Sequence, residues 1–385
     1  MPNPYGGGAV RMFSQLKYLS GLGVVADLLC PLAAGERVPD EVRSYVRRIH
    51  VVPGRPDSFA DRLRNLLTFS AYHEDKEFSA LVSCVMGENK YDLVHAHKFQ
   101  SAIYLRRVKN LPVVVDLWAC GLDGAWRDFL HERSLLGKAV KLSRLPRFWA
   151  ADMKLYPSFD NYFVVSEEAA GYVRERYPDK NAYLVPHGIE LPVYKPDPAR
   201  SGPGKDLVFV GDMAFSQNVD TVLYFAEKIY PALKKMTPGV RFYIVGRNPP
   251  PAVLALGSDK SVMVTGFVED AGEYLRNSSV FVAPIRTGLG LRTKILEAFA
   301  YRLPVVTSRL ACEGIAAEDG KTVMFAENPA EFARKTAWLL ENPEEMAEIG
   351  GRARALVEEK YLWPKIAQEI KKHYEEILHN HNFKK

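Results

Sequence analysis

Ala283-Pro-Ile-Arg-Thr-Gly-Leu-Gly-Leu-Arg-Thr-Lys-Ile-Leu-Glu-Ala-Phe-Ala300 runs from an apolar strand-like segment through a Gly-rich turn into a helical pattern. Such a turn points backbone N–H groups and the positive end of a helix dipole at one place, which makes a cradle for an anion. Gly288 and Gly290 shape the turn, Leu289 and Leu291 alternate with them, and Arg292 and Lys294 add mobile cationic donors beside it. That combination suits a diphosphate. Glu297 follows within a turn of helix, where its carboxylate can accept two ribose hydroxyls. The alternative is a tight turn whose charges are simply solvated.

On either side of this stretch the chain alternates apolar strand-like runs with helical patterns, the signature of parallel sheets covered by helices. The expected strands are 24–30, 48–52, 93–97, 112–117, 162–166 and 182–186 in the first half. In the second half they are 207–211, 241–246, 261–265, 280–284, 304–308 and 322–325. The fold class is therefore α/β. Residues 191–205 are rich in Pro and Gly and poor in apolar residues, so the hinge between two domains is expected there. A last helix is expected from Trp363 to Leu378, with Ile366, Ile370, Tyr374 and Ile377 on one stripe.

At 385 residues the chain has room for two or three domains of about 150 residues. Its 47% apolar and 25% charged residues are those of a globular protein with sizeable cores. No window of 18 residues is free of Asp, Glu, Lys and Arg, so no segment reads as a membrane-spanning helix. Residues 1–8 lack the cationic start and apolar centre of a signal peptide. Four cysteines without a Cys-x-x-Cys pair argue against a zinc knuckle or a disulfide scaffold, and a reducing cytoplasm is expected.

The net charge of +5 is too small to demand nucleic acid, and no such partner is expected. Its distribution is uneven. In the window 133–154, Arg133, Lys138, Lys141, Arg144, Arg147 and Lys154 face Asp152 alone, an excess equal to the whole net charge. Leu135, Leu136, Val140, Leu142, Leu145, Phe148 and Trp149 interleave with these cations. That pattern suits an amphipathic helix lying on an anionic membrane surface, with an ordinary solvated helix as its alternative. If the window holds lipid, the protein is peripheral on the inner face of the membrane.

Other motifs weigh less. Gly6, Gly7 and Gly8 precede the helical run 12–19 and can present N–H groups to a phosphate or sugar. His95 and His97 alternate along a strand and share one face, with His97 at the carboxyl edge where open α/β sheets bind ligands. No third ligand stands near them in sequence, so a hydrogen-bonding His97 above a buried His95 is expected rather than a metal pair. Asp-x-Asp, the metal–diphosphate device of many sugar transferases, is absent, and the metal-site expectation is none. A diphosphate must then be neutralised by Arg, Lys and helix dipoles.

The second half resembles the nucleotide-sugar domain of the family 4 retaining glycosyltransferases. The likeness is carried by Leu207-Val-Phe-Val-Gly-Asp, Tyr243-Ile-Val-Gly, Val264-Thr-Gly-Phe-Val, Lys294-Ile-Leu-Glu-Ala-Phe-Ala and Leu303-Pro-Val-Val-Thr. The first half is similar to the acceptor domain of that family through Pro4-Tyr-Gly-Gly-Gly, Asp92-Leu-Val-His-Ala-His, Phe163-Val-Val-Ser-Glu and Val185-Pro-His-Gly-Ile-Glu. The resemblance implies a GT-B fold of two facing Rossmann-like domains with the donor in the cleft. Residues 1–196 would form the acceptor-side domain, joined by the helix 363–380, and 204–361 the donor-side domain. It further implies Arg292, Lys294 and the backbone near Gly290 on the diphosphate, Glu297 on the ribose, and the turn of Gly266, Phe267 and Val268 on the base. His97 would meet the transferred sugar, and Gly7, Gly8, Gly211 and Gly246 would line the donor site.

Three departures from the family pattern stand out. Leu289 occupies the place where relatives usually show a Glu, eight positions before Glu297. Asp212 and Gln217 stand where many relatives have an Arg and a Lys, while Arg292 and Lys294 restore two charges on the opposite wall, a variation associated with polysaccharide assembly in bacteria. The family also opens with a strand before the Gly-rich turn, and here five residues precede Gly6. The implied activity is metal-independent, retaining transfer of a sugar from a nucleotide diphosphate donor, itself a substrate rather than a cofactor, to a glycan or lipid-linked acceptor. A nucleotide-sugar epimerase on the same fold and a non-catalytic nucleotide-sugar binder are the alternatives.

Overall fold

Parallel strands buried on both faces are near-continuous apolar runs, and every one of the twelve runs above overlaps a strand. The structure is a computed structural model that describes residues 7–32, 36–54, 75–117, 122, 125–126, 129–130, 135–192, 204–287 and 291–383. It divides into two units, Met1–Gly188 with Trp363–Lys385, and Ile189–Leu362.

In the first unit the helix α1 (Gly7–Gly21) leads into β1 (Asp27–Leu32), which pairs in parallel with β2 (Arg48–Pro53). A second parallel sheet holds β3 (Val94–His97), β4 (Val113–Leu117), β5 (Asn161–Val164) and β6 (Asn181–Leu184) in that order. The crossover from β4 to β5 carries two further helices, α2 (Leu135–Leu142) and α3 (Leu145–Lys154). The C-terminal helix, Trp363–Phe383, packs Trp363, Ile366, Ile370 and Ile377 against Leu19, Val114, Phe163 and Val185.

The second unit contains one six-stranded parallel sheet. Its strands are β7 (Asp206–Val210), β8 (Arg241–Val245), β9 (Val262–Gly266), β10 (Val280–Ala283), β11 (Val305–Thr307) and β12 (Met324–Phe325). They lie in the order β12-β11-β10-β7-β8-β9, so the first strand is central and the winding reverses between β7 and β10. Sheets wound this way bind ligands outside the carboxyl ends at the reversal. Two helices flank that point, α4 (Ser216–Tyr224) and α5 (Thr293–Ala300).

The first unit differs here. The central place that β7 holds has no counterpart among its described residues, and β1–β2 stand apart from β3–β6 as a separate sheet.

The chain passes between the units at two neighbouring points. Ile189 donates its N–H to the Tyr361 carbonyl at 2.8 Å and bridges to Leu362, while Gly188 abuts the indole of Trp363. A Cβ on Gly188 would stand 2.6 Å from Trp363 Cδ2, so only glycine lets the ring lie flat against the backbone. Most of the expected hinge 191–205 lies outside the described residues. Trp363 is buried and anchors the returning helix, so Trp363→Ala should destabilise the first unit by about 3–5 kcal/mol. Urea unfolding followed by far-ultraviolet circular dichroism checks this; an unmoved midpoint would mean that the helix is held elsewhere.

Candidate active site

At the reversal point, β7 ends in Gly211 and β10 leads towards the Gly-rich turn. Lys294, in the first turn of α5, sends its ammonium back over Gly211. A Cβ there would come within 2.8 Å of Lys294 Nζ and of Asn218 Nδ2, so the missing side chain is what admits both groups. Lys294 Nζ donates to Asn218 Oδ1 at 2.5 Å and lies 4.4 Å from the centre of the Phe209 ring. Desolvation lowers its pKa to about 7, against the attraction of Glu297 and with the repulsion of Arg292. Arg292 precedes the first turn of α5 as its N-cap residue; it is buried, and desolvation lowers its pKa also. Lys294 is thus held by Asn218 and Phe209, and Arg292 reaches the Thr287 carbonyl at 3.5 Å, so neither is the mobile donor expected.

Glu297 is exposed on the next turn, and desolvation raises its carboxyl above the ordinary range despite Lys294 nearby. Gly246 closes the edge: its φ of +149° and a virtual Cβ 1.9 Å from the Gly211 carbonyl oxygen permit glycine alone. It donates its N–H to the Gly266 carbonyl at 3.2 Å, and Gly266 itself has φ +69°. Gly211, Gly246 and Gly266 therefore end three adjacent strands, β7, β8 and β9. Past Gly266, Phe267 is exposed while Val268 and Leu291 pack on the core. Gly288, Leu289 and Gly290 lie outside the described residues.

On the opposite wall, Asp212 and Gln217 are both engaged within the protein. Asp212 is paired with Arg247 at 2.8 Å and accepts from the Ala214 N–H and Asn248. Gln217 donates its amide to the Thr287 carbonyl, and Arg286 pairs with Asp220 while stacking on Tyr224 at 3.7 Å.

In the first unit the carboxyl edge is built round a buried ion pair. Arg11, from α1, donates Nε to Asp116 Oδ2 at 3.0 Å and Nη2 to Oδ1 at 3.1 Å. Its remaining donors reach the carbonyls of Val185 and Pro186, and Gln15 adds a hydrogen bond to Asp116 at 2.9 Å. Burial opposes charge on Asp116, but the Arg11 guanidinium and the two imidazoles outweigh it and hold the carboxyl well below its usual range. His95 and His97 do share a face. Their rings stack with centroids 4.5 Å apart, and His95 Nδ1 meets the Tyr374 hydroxyl at 2.5 Å. Desolvation, and then His95, push the His97 pKa well below its ordinary value, so it is neutral.

A third potential ligand does reach the histidines, against the expectation from sequence spacing. Strand register pairs His97 with Asp116, and one ligand atom each of His95, His97 and Asp116 lie within 4.8 Å of one another. The two rings are 17° from parallel, whereas one ion must lie in the plane of both. Asp116 is also taken by Arg11 and Gln15. Stacked rings and a carboxylate already engaged by Arg11 and Gln15 do not suit a single ion.

Gly7 and Gly8 are the first residues of α1, not part of a turn ahead of it, and Gly6 lies outside the described residues. Sequence reasoning missed Arg11, Gln15, Asp116, Asn218 and Tyr374. A signal existed for one of them: Asp116 is a lone charge in the apolar run 112–117.

Residues 6–188 match the family model described as a glycosyl transferase 4-like domain, and residues 204–342 match glycosyl transferases group 1. The chain belongs to the glycosyltransferases. Its fold is the GT-B type, with two Rossmann-like units. Similar solved structures include sucrose-phosphate synthase from Thermosynechococcus elongatus, 16% identical, with TM-score 0.71 over 97% of this chain and 94% of that one. HepE from Anabaena, solved in complex with UDP and glucose, is 14% identical with TM-score 0.65 over 98% and 97% of the two chains. A curated relative, an uncharacterized 44.6 kDa protein in the cps region of Klebsiella pneumoniae, is 22% identical over 173 residues. That match covers 43% of this chain and 45% of the relative, so the chain spans less than half of that protein's length.

In this glycosyltransferase the Arg11–Asp116 pair is fully buried, so removing one partner strands the other. Asp116→Ala should cost about 3–5 kcal/mol, and adding Arg11→Met should recover much of it. A double-mutant cycle by urea unfolding measures the coupling; additive losses would show that the two charges do not support each other.

Proposed function

We propose that the protein is a retaining, metal-independent glycosyltransferase of polysaccharide biosynthesis. It moves a sugar from a nucleotide diphosphate sugar to a hydroxyl of a glycan or lipid-linked acceptor. One observation carries this: where the sheet reverses, Lys294 in the first turn of α5 lies over the bare backbone of Gly211, with Arg292 at the N-cap of the same helix. An ammonium whose pKa burial has lowered to about 7 gains most from an anionic ligand. The UDP and glucose bound to HepE, and the cps region of the Klebsiella relative, support the donor class and the pathway type.

In this mechanism the bond from the anomeric carbon to the diphosphate breaks, and Arg292, Lys294 and the dipole of α5 stabilise the charge that develops on the leaving group. The acceptor hydroxyl forms the new bond on the same face, and its proton passes to the departing phosphate. Glu297 holds the ribose, and the backbone after β9 meets the base. The carboxyl edge of the first unit, with His97 neutral and donating, serves the sugar.

The test is turnover of UDP-, GDP- and ADP-sugars in excess EDTA, with release of the nucleoside diphosphate expected from one of them. Activity abolished by chelation and restored by Mn²⁺ would overturn metal independence. Arg292→Ala with Lys294→Ala should weaken nucleoside diphosphate binding by 100-fold or more, since unit charges about 4 Å apart attract by about 4 kcal/mol at an effective dielectric of 20. Nucleoside binding should barely change. Equal losses for both ligands in calorimetry would make the pair structural.

A further inference from the structure

Of the seventeen large apolar side chains that are exposed among the described residues, eight fall between Trp126 and Met153. All eight belong to the crossover from β4 to β5, which runs through residues 118–160 where a crossover needs only about a dozen. Helix α2 buries none of its eight residues, and Leu135 and Leu136 are 86% and 76% exposed. So short a helix is marginal in water by itself. It requires an apolar surface to lie on.

The charge on this stretch indicates which surface. Within 135–154 the acid is Asp152, which is buried and accepts hydrogen bonds from the Leu122 N–H at 3.3 Å and from the Tyr172 hydroxyl. The charge that α2, α3 and their connection present is therefore cationic, from Lys138, Arg144 and Lys154. A second copy of the chain seated here would bring like charges face to face. A bilayer containing anionic lipid offers both the apolar depth for Leu135, Leu136 and Trp149 and the opposite charge for the lysines and arginine. We propose that α2 and α3 form a docking face that lies in the interface of an anionic membrane. This does not rest on the transferase reading, because the surface and its partner are defined without reference to the donor site.

The test is co-sedimentation with vesicles of phosphatidylcholine mixed with phosphatidylglycerol, and with phosphatidylcholine alone. The protein should partition onto the mixed vesicles, less so as salt is raised. Each cation near such a surface contributes about 1 kcal/mol, or about fivefold in partition. Lys138→Gln, Arg144→Gln and Lys154→Gln together should therefore weaken binding on the order of 100-fold. Leu135→Ser with Leu136→Ser should weaken it on both kinds of vesicle. Retained nucleoside diphosphate binding shows that each variant is folded, and its absence in the wild type would sink the transferase reading alone. Equal sedimentation of wild type and the triple variant would overturn the docking face. So would a concentration-dependent dimer in light scattering that Leu135→Ser with Leu136→Ser abolishes, since a second copy would then be the occupant.

Discussion

A cation taken out of water must be met by an opposite charge or by several hydrogen bonds, and each unit takes one out of water at the carboxyl edge of its sheet. The two solve the problem differently. In the first, Arg11 finds a carboxylate and two backbone carbonyls, so its charge is spent inside the protein. Because Asp116 belongs to β4, the carbonyls follow β6 and Arg11 belongs to α1, that pair fixes the helix across the end of the sheet. In the second, Lys294 meets the neutral oxygen of Asn218 and the face of Phe209, and burial lowers its pKa. The first arrangement is a closed clamp. The second leaves positive charge for a ligand to neutralise.

The strands were legible because parallel strands are buried on both faces, so each is an apolar run such as 207–211 or 280–284. Arg292 and Lys294 were legible as cations at the start of α5 because they are local to that helix. The Arg11–Asp116 pair was not, since its partners lie 105 residues apart and no local pattern links them. Nor was Asn218, an ordinary polar residue on α4 until Lys294 is placed beside it. His95 and His97 were expected to share a face, and period-two alternation sufficed for that. Asp116 joined them only through register between neighbouring strands.

The two units differ in how their strands are joined. In the second unit β7 is flanked by β8 and β10, and it carries the ladder across the reversal. Among the described residues no strand joins β1–β2 to β3–β6 in one ladder. The apolar packing still reaches across, for Leu29 and Val52 lie against the core of the larger sheet.

The residues facing α5 across the carboxyl edge of the second unit's sheet are explained by their neighbours. Asp212, where many relatives carry an Arg, forms an ion pair with Arg247 and caps the Ala214 N–H. A cation at that place would face Arg247 and lose both interactions. Gln217, where many relatives carry a Lys, is used as an amide donor to the Thr287 carbonyl and so braces the segment that leads into the Gly-rich turn. An ammonium could still donate there, but would stand in the same pocket as Lys294 and Arg292, and like charges so close would drive one of them neutral or outwards. The neutral wall and the cationic wall are thus one arrangement. Asp212 and Gln217 are engaged by their own partners, while the cations of this edge stand at the start of α5.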